Sequence, residues 1–299
     1  MVQPRVLVVV LAGGEGGRLE LLTDERAKPA VPYAGHYRLI DIALSNVLHS
    51  GLSDVWIVEQ THPFSLQRHL SNGRPWDLDR TTGGLRLLHP RQGDDPRAGF
   101  QQGTADALWR YAGLIRDFAP DALVVVSADA VYRLDYDDVV RRHLDSGATV
   151  TMVTTRVGSE DASRYGVVQV SGGRITDYVY KPDRPKGDLV TNEVFVFDPE
   201  PTLALLDELP HDGDLGDDLL PRLVTEGKAR EHRLDGYWRD LGTVDAYWQA
   251  HMELVADDPP FDPGDPEWPL RTQGGTSPAA MVRREAVVED ALLSGGCDV

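Results

Sequence analysis

The residues with the clearest chemical potential stand near the start of the chain. An apolar run from Val6 to Leu11 opens into LAGGEGGRLELLTDERAKPA, where Gly13, Gly14, Gly16 and Gly17 precede Arg18 and Lys28. Glycines let backbone amides approach a phosphate closely, and the two cations can neutralise a triphosphate. The same run would also serve as a tight turn whose charges are solvated or paired with Asp24 or Glu25. It is not a P-loop, because the lysine does not follow the last glycine directly and no Ser or Thr follows the lysine. The nine histidines include no pair at metal-ligand spacing, and with a single cysteine zinc is not indicated.

Short β-branched runs must position that loop. They recur at Val6 to Leu11, Val55 to Val58, Leu123 to Ser127, Thr149 to Thr154 and Val194 to Phe197. Runs that are apolar throughout suit strands buried on both faces of a mostly parallel sheet. Helical patterns lie between and after them, at Ala43 to Ser50, Ala105 to Phe118, Tyr136 to Ser146, Thr202 to Leu209 and Asp245 to Ala256. The alternation predicts a doubly wound α/β sheet whose ligands bind beyond the carboxyl ends of the strands, at the loops after Leu11, Val58 and Val126.

Downstream the composition changes. Residues Asp257 to Pro269 hold five prolines and five acidic residues, which reads as a linker. The segment Pro278 to Val299 contains AVVEDALLSGGCDV, whose small apolar residues at about six-residue spacing suggest one incomplete turn of a hexapeptide β-helix. The expected organisation is therefore a domain over 1–256, a linker over 257–277 and a β-helix segment over 278–299.

A chain of 299 residues with 41% hydrophobic and 26% charged residues can bury a substantial core. Its net charge of −18 repels a polyanion, so nucleic acid is not an expected partner. The sole cysteine, Cys297, excludes an internal disulfide framework and fits a reducing compartment, the cytoplasm. No segment approaches the roughly 20 apolar residues of a transmembrane helix, so no membrane association is expected.

Several motifs occur in order: GGxGxRL, LT, RAKPA, YRLID at Tyr37 to Asp41, LSN, SLQRH at Ser65 to His69 and GTADAL at Gly103 to Leu108. SADAVYRLDY at Ser127 to Tyr136, YGVVQ at Tyr165 to Gln169, Lys181 with Pro182, DDLLP at Asp217 to Pro221 and GYWRDLGTVDAYW at Gly236 to Trp248 follow. Together they resemble the bacterial ADP-glucose pyrophosphorylase family from Val6 to about Val255, more weakly in the tail. The resemblance implies a Rossmann-like nucleotidyltransferase domain with a mixed, mostly parallel sheet, followed by the incomplete start of a C-terminal left-handed β-helix. It also implies transfer of an adenylyl group from ATP to glucose 1-phosphate with release of pyrophosphate, for glycogen or a related glucan.

In-line attack on the α-phosphorus gathers negative charge on both flanking groups, which a divalent cation held by carboxylates can offset. Asp129 ends an apolar strand, where such a carboxylate should stand, and the resemblance makes it a Mg2+ ligand with Asp240 as its partner. The alternative is an aspartate that caps the next element. Arg18 and Lys28 correspond to residues at the β- and γ-phosphates, and Lys181 to the lysine that holds the sugar's phosphate. For the base the resemblance points to the backbone at Gly13, Gly14 and Gly16, to Gln60, and to Gly103, Thr104 and Asp106. Gln60 closes a strand, and its amide can offer both donor and acceptor to an adenine edge or cap a loop.

The chain departs from the family pattern where the sugar is expected. Tyr180 stands in place of a glutamate that contacts glucose hydroxyls, and a phenol supplies only one group. The family segment Ala-Ser-Met-Gly appears as Val190, Thr191, Asn192 and Glu193, with Thr191 keeping the serine's hydroxyl. Leu21 replaces a proline and Ala130 a histidine. A nucleotidyltransferase for another sugar 1-phosphate or nucleotide, or a regulatory paralogue without turnover, are the competing readings. With at most about one β-helix coil and a charge of −18, a monomer or small homo-oligomer is expected.

Overall fold

The computed structural model describes residues 3–13, 17–89, 103–209, 213–274 and 277–299. Its strands are β1 (Val6–Ala12), β2 (Pro32–Tyr33), β3 (Tyr37–Arg38), β4 (Asp54–Glu59), β5 (Gly84–Leu88), β6 (Ala122–Ser127) and β7 (Ala130–Tyr132). They continue with β8 (Val150–Arg156), β9 (Gly166–Ser171), β10 (Arg174–Tyr180), β11 (Leu189–Phe197), β12 (Ala229–Arg233) and β13 (Trp238–Asp240). The helices are α1 (Leu39–His49), α2 (Pro63–Leu70), α3 (Thr104–Arg110), α4 (Ala112–Phe118), α5 (Tyr136–Ser146), α6 (Pro199–Leu206), α7 (Leu220–Thr225) and α8 (Val244–Leu254).

The main sheet runs β5-β4-β1-β6-β11-β8-β12-β10-β9, and β9 also pairs with β11, which closes the last five strands into a ring. The first four strands are parallel, as the apolar runs in β1, β4 and β6 predict; β5, with exposed Arg86, shows no such run. In β1, Val6, Val8, Val10 and Ala12 enter one core while Leu7 and Val9 enter the other. The pleat thus buries alternate residues on opposite faces of the sheet.

The sheet is mixed but not mostly parallel. Beyond β6 the pairings of β11 with β6, β8 and β9, and of β10 with β9 and β12, are antiparallel; only β8 with β12 is parallel. One physical reason is a hairpin. Ser171 pairs with Arg174 across Gly172 and Gly173, both at positive φ, which is the backbone a two-residue primed turn requires. The Gly-Gly pair carries that signal in the sequence, whereas the buried runs do not encode strand direction: two of them form β8 and β11, which pair antiparallel.

Helix α5 covers its predicted span: the Asp135 carboxylate caps its first turn and Gly147 ends it in the left-handed region. Helix α1 begins earlier than its apolar pattern suggests because Asp41, in the first turn, accepts from the Arg38 amide at 2.9 Å. The predicted helix from Ala105 divides into α3 and α4 at Tyr111.

Residues Asp257 to Pro269 form no helix or strand, yet the chain here runs along α1. Trp268 donates to Asn46 Oδ1 at 2.9 Å, the Pro269 carbonyl meets His49 Nε2 at 2.8 Å, and the Arg271 amide donates to Ser45 at 2.9 Å. Leu270 joins the core. Residues 277–299 carry one parallel bridge, Met281 with Asp298, and no strand, short of the β-helix coil that the hexapeptide spacing predicts.

Candidate active site

The site lies beyond the carboxyl ends of β1, β4 and β6, around a cavity of about 360 Å³. Gly13, Arg18, Lys28, Gln60, Gly103, Thr104, Asp129, Tyr180, Lys181 and Thr191 line it, so most residues singled out from the sequence share one space. Gly14 and Gly16 lie outside the described residues. A Cβ at Gly13 would fall 2.5 Å from Gln60 Oε1, so the absence of a side chain lets the two strand ends close together.

The charged centre is built from three distant segments. Ser127, at the end of β6, donates to Asp129 Oδ1 at 2.5 Å, and buried Lys28 binds Oδ2 at 2.6 Å. Antiparallel pairing of β13 with β7 sets Asp240 opposite Ala130, and the Leu241 amide donates to the Asp129 carbonyl at 3.1 Å. Lys28 thereby stands 3.7 Å from Asp240 Oδ1 as well. Arg164 donates to Asp240 Oδ2 at 3.0 Å, and a Cβ at Gly242 would fall 2.8 Å from that oxygen and 3.3 Å from an Arg18 Nη. Arg164 was not visible as a site residue in the sequence. The only available signal was its place directly before the Tyr165 to Gln169 motif.

These contacts set the protonation states. Burial disfavours charge on Lys28, but Asp129 and then Asp240 outweigh it and raise its pKa. Burial would likewise raise Asp129, yet the adjacent Lys28 holds that carboxyl below the usual range. Asp240 is raised by burial and by Asp129, against the opposing pull of Lys28, Arg164 and Arg18. Glu193 is pushed up to about 7, first by burial and then by Asp129 and Asp240.

The Lys181 backbone amide donates to the Tyr165 carbonyl at 2.9 Å, and its ammonium lies 4.4 Å from the Tyr180 ring centre. The ring also packs closely against Gly216, where a Cβ would meet ring carbons at 2.5 Å. Tyr180 is therefore held as a platform beneath Lys181. Thr191 is buried, with its hydroxyl 3.5 Å from the Gly166 carbonyl. The Thr104 hydroxyl is occupied on both sides: it donates to Asp214 at 2.8 Å and accepts from the Leu215 amide at 2.9 Å. Asp106 does not line the cavity; its buried carboxylate accepts from Arg110 Nε at 2.7 Å. A smaller hollow of about 50 Å³ shares Arg18, Asp129, Lys181 and Glu193 with the large one and adds Asp240, Arg164, Asn192 and Trp238.

A cavity that alternates cations with carboxylates is suited to a phosphorylated ligand accompanied by a divalent cation. Comparison with known proteins agrees with that chemistry. The nucleotidyl transferase family model matches residues 7–257. A glucose-1-phosphate adenylyltransferase from Thermomicrobium roseum is 40% identical over 300 residues, covering 98% of this chain and 70% of the relative. That of Thermotoga neapolitana is 39% identical over 301 residues, 98% of this chain and 71% of its own length. One from Fusobacterium nucleatum is 33% identical over 305 residues, 100% of this chain and 79% of its own. The chain belongs to the glucose-1-phosphate adenylyltransferase family. Tyr180 and Glu193 both line the large cavity. Among the described residues no helix is long and apolar enough to cross a membrane.

Proposed function

We propose that this chain transfers the adenylyl group of ATP to glucose 1-phosphate, forming ADP-glucose for glycogen or a related glucan and releasing pyrophosphate. The observation that carries the proposal is the cluster of Lys28, Asp129 and Asp240 beside Lys181: Lys28, Asp129 and Lys181 line the large cavity, and Asp129, Lys181 and Asp240 share the small one. A phosphate oxygen of the sugar phosphate attacks the α-phosphorus; the new O–P bond forms as the bond to the bridging oxygen of pyrophosphate breaks. Lys181 holds the sugar's phosphate. Arg18 and Lys28 meet the β- and γ-phosphates, where charge accumulates on the leaving group. Gln60, with the backbone at Gly13 and Gly103, borders the end of the cavity assigned to the base.

Asp129 and Asp240 fit Mg2+: two hard oxygen donors, one from the turn between β6 and β7 and one from the end of β13, converge on a single buried cation, Lys28. Mg2+, when bound, would offset phosphate charge. The chain's own contribution is to hold both carboxylates in place through Ser127 and Arg164.

The same reading treats 1–256 as the catalytic unit and 278–299 as the first part of a left-handed β-helix, supported by the parallel Met281 to Asp298 bridge. A charge of −18 supports a monomer or small homo-oligomer, and the sole cysteine a cytoplasmic setting. Pyrophosphate release with ATP and Mg2+ against a panel of sugar 1-phosphates tests the function. Preference for glucose 1-phosphate is the expected result, and no release with any member would refute it. Because Tyr180 and Asn192 stand where the family pattern differs at the expected sugar end, a second reading keeps the reaction but changes the sugar; the same panel separates the two.

A further inference from the structure

Glu193 is the residue of the cavity that the catalytic reading leaves without a task. It lies inside β11, where the register against β8 shifts between Thr191 and Phe195: Thr191 faces Thr154 and Phe195 faces Met152, so the β11 side holds extra residues. Such a bulge re-aims side chains. Its φ is 61°, the left-handed region that an unbranched acidic residue occupies only at a cost. The strain sets a carboxylate into both the large cavity and the small one. Among the described residues it makes no hydrogen bond or ion pair, and no three acidic, His or Cys side chains gather closely enough to hold a metal ion.

A carboxylate in a half-closed cavity needs donors, and one set near phosphate sites would repel the phosphates themselves. The neutral donors of a sugar phosphate are its ring hydroxyls. Neighbouring Asn192 completes the setting: its Oδ1 accepts from the Val194 amide at 3.3 Å, while its buried Nδ2 has no partner in the structure. Tyr180 packs against Gly216 and carries the Lys181 ammonium near its ring.

We propose that Glu193 is the specificity-determining residue for the sugar ring, its carboxylate accepting from a pair of ring hydroxyls while Lys181 takes the phosphate. The inference rests on the sugar-phosphate reading above. Its test compares wild type with Glu193→Gly and Glu193→Gln on glucose 1-phosphate and its singly deoxygenated analogues. Wild type should lose about 10- to 100-fold in kcat/KM on at least one analogue lacking a hydroxyl. In Glu193→Gly that discrimination should shrink to about twofold or less, since neither substrate then has the acceptor. The KM for ATP and the Mg2+ concentration for half-maximal rate should stay unchanged. The glycine variant should melt at or above wild type because glycine accepts positive φ freely, so lost discrimination cannot be misfolding. Unaltered discrimination in an active variant overturns the role of Glu193 alone, and so does a shifted Mg2+ requirement, which would make it part of the cation site. Wild type inactive on every sugar 1-phosphate overturns the underlying reading and this inference with it.

Discussion

Replacing Lys28 by methionine removes the one cation that, among the described residues, touches both Asp129 and Asp240, while keeping the side chain's length and apolar stem. Side-chain exposures of 8% for Lys28, 26% for Asp129 and 14% for Asp240 leave little solvent to screen the pair of carboxylates. Removing one partner of a buried ion pair costs about 3–5 kcal/mol, because the remaining charge stays buried without compensation. Arg164 and Ser127 still contact the two carboxylates, which places the expected loss toward the lower end. At about 2 °C per kcal/mol for a chain of this size, Lys28→Met should lower Tm by about 6 °C in metal-free buffer. Excess MgCl2 should then recover more Tm in the variant than in wild type, since a divalent cation supplies the missing charge to the same oxygens. Differential scanning calorimetry near neutral pH, with and without MgCl2, reads both quantities without any turnover. Equal Tm in the absence of metal, or an equal response of the two proteins to Mg2+, would refute the assignment of Lys28 as the counterion of a cation-binding pair.

Asp129→Asn should reduce kcat by about 100-fold or more, and Asp240→Asn likewise, with the double variant no worse than the stronger single one; steady-state pyrophosphate release measures this, and additive losses would show that the two act separately. Gly216→Ala drives a Cβ into the Tyr180 ring at 2.5 Å, so Tyr180 and the Lys181 ammonium resting on it must shift. The expected outcome is a KM for sugar phosphate raised by about 10-fold with a smaller change for ATP, and equal changes in both would argue for a general fold defect. Buried His143, which meets Thr151 Oγ1 at 2.9 Å, has its pKa lowered by burial to about 4, against an unfolded value near 6.5. Between those values the unfolded chain binds more protons, so stability falls as pH drops from 6.5 toward 4 and levels off below. Its share of the loss between pH 7 and pH 5 is about 2 kcal/mol, and His143→Gln should remove that part of the slope in urea titrations. A slope that persists undiminished in His143→Gln would assign the pH dependence to other groups.

How much was legible beforehand followed how local each signal was. β1, β4 and β6 announced themselves because strands buried on both faces must be apolar at every position, and α5 because Asp135 and Gly147 bracket a helical pattern. The glycine-rich loop, Arg18, Lys28 and Asp129 stood out because phosphate chemistry demands those residue types at strand ends. The closed ring was not legible. Strands β9, β10 and β12 are partly exposed, and β10 and β12 carry charges, so their pairing depends on tertiary partners rather than on an apolar run of their own. Nor could the run after Asp257 be seen to lie along α1, since proline-rich composition is equally compatible with a free linker and a docked one.

By itself the sequence determined the reaction class, through motifs in which each residue's chemistry is fixed by its own side chain. Only the tertiary structure decided how those side chains are used. β13 pairing with β7 brings Asp240 to Asp129, and Arg164 joins them from another segment. Thr104 and Asp106, attractive as loop residues near a base, commit their side chains to Asp214 and Arg110. Tyr180 becomes a platform for a lysine, and the bulge in β11 turns Glu193 into the cavity. Side-chain type is written locally, but a partner, a burial and an orientation exist only once chain segments far apart in sequence share a surface, and those three quantities set protonation and recognition.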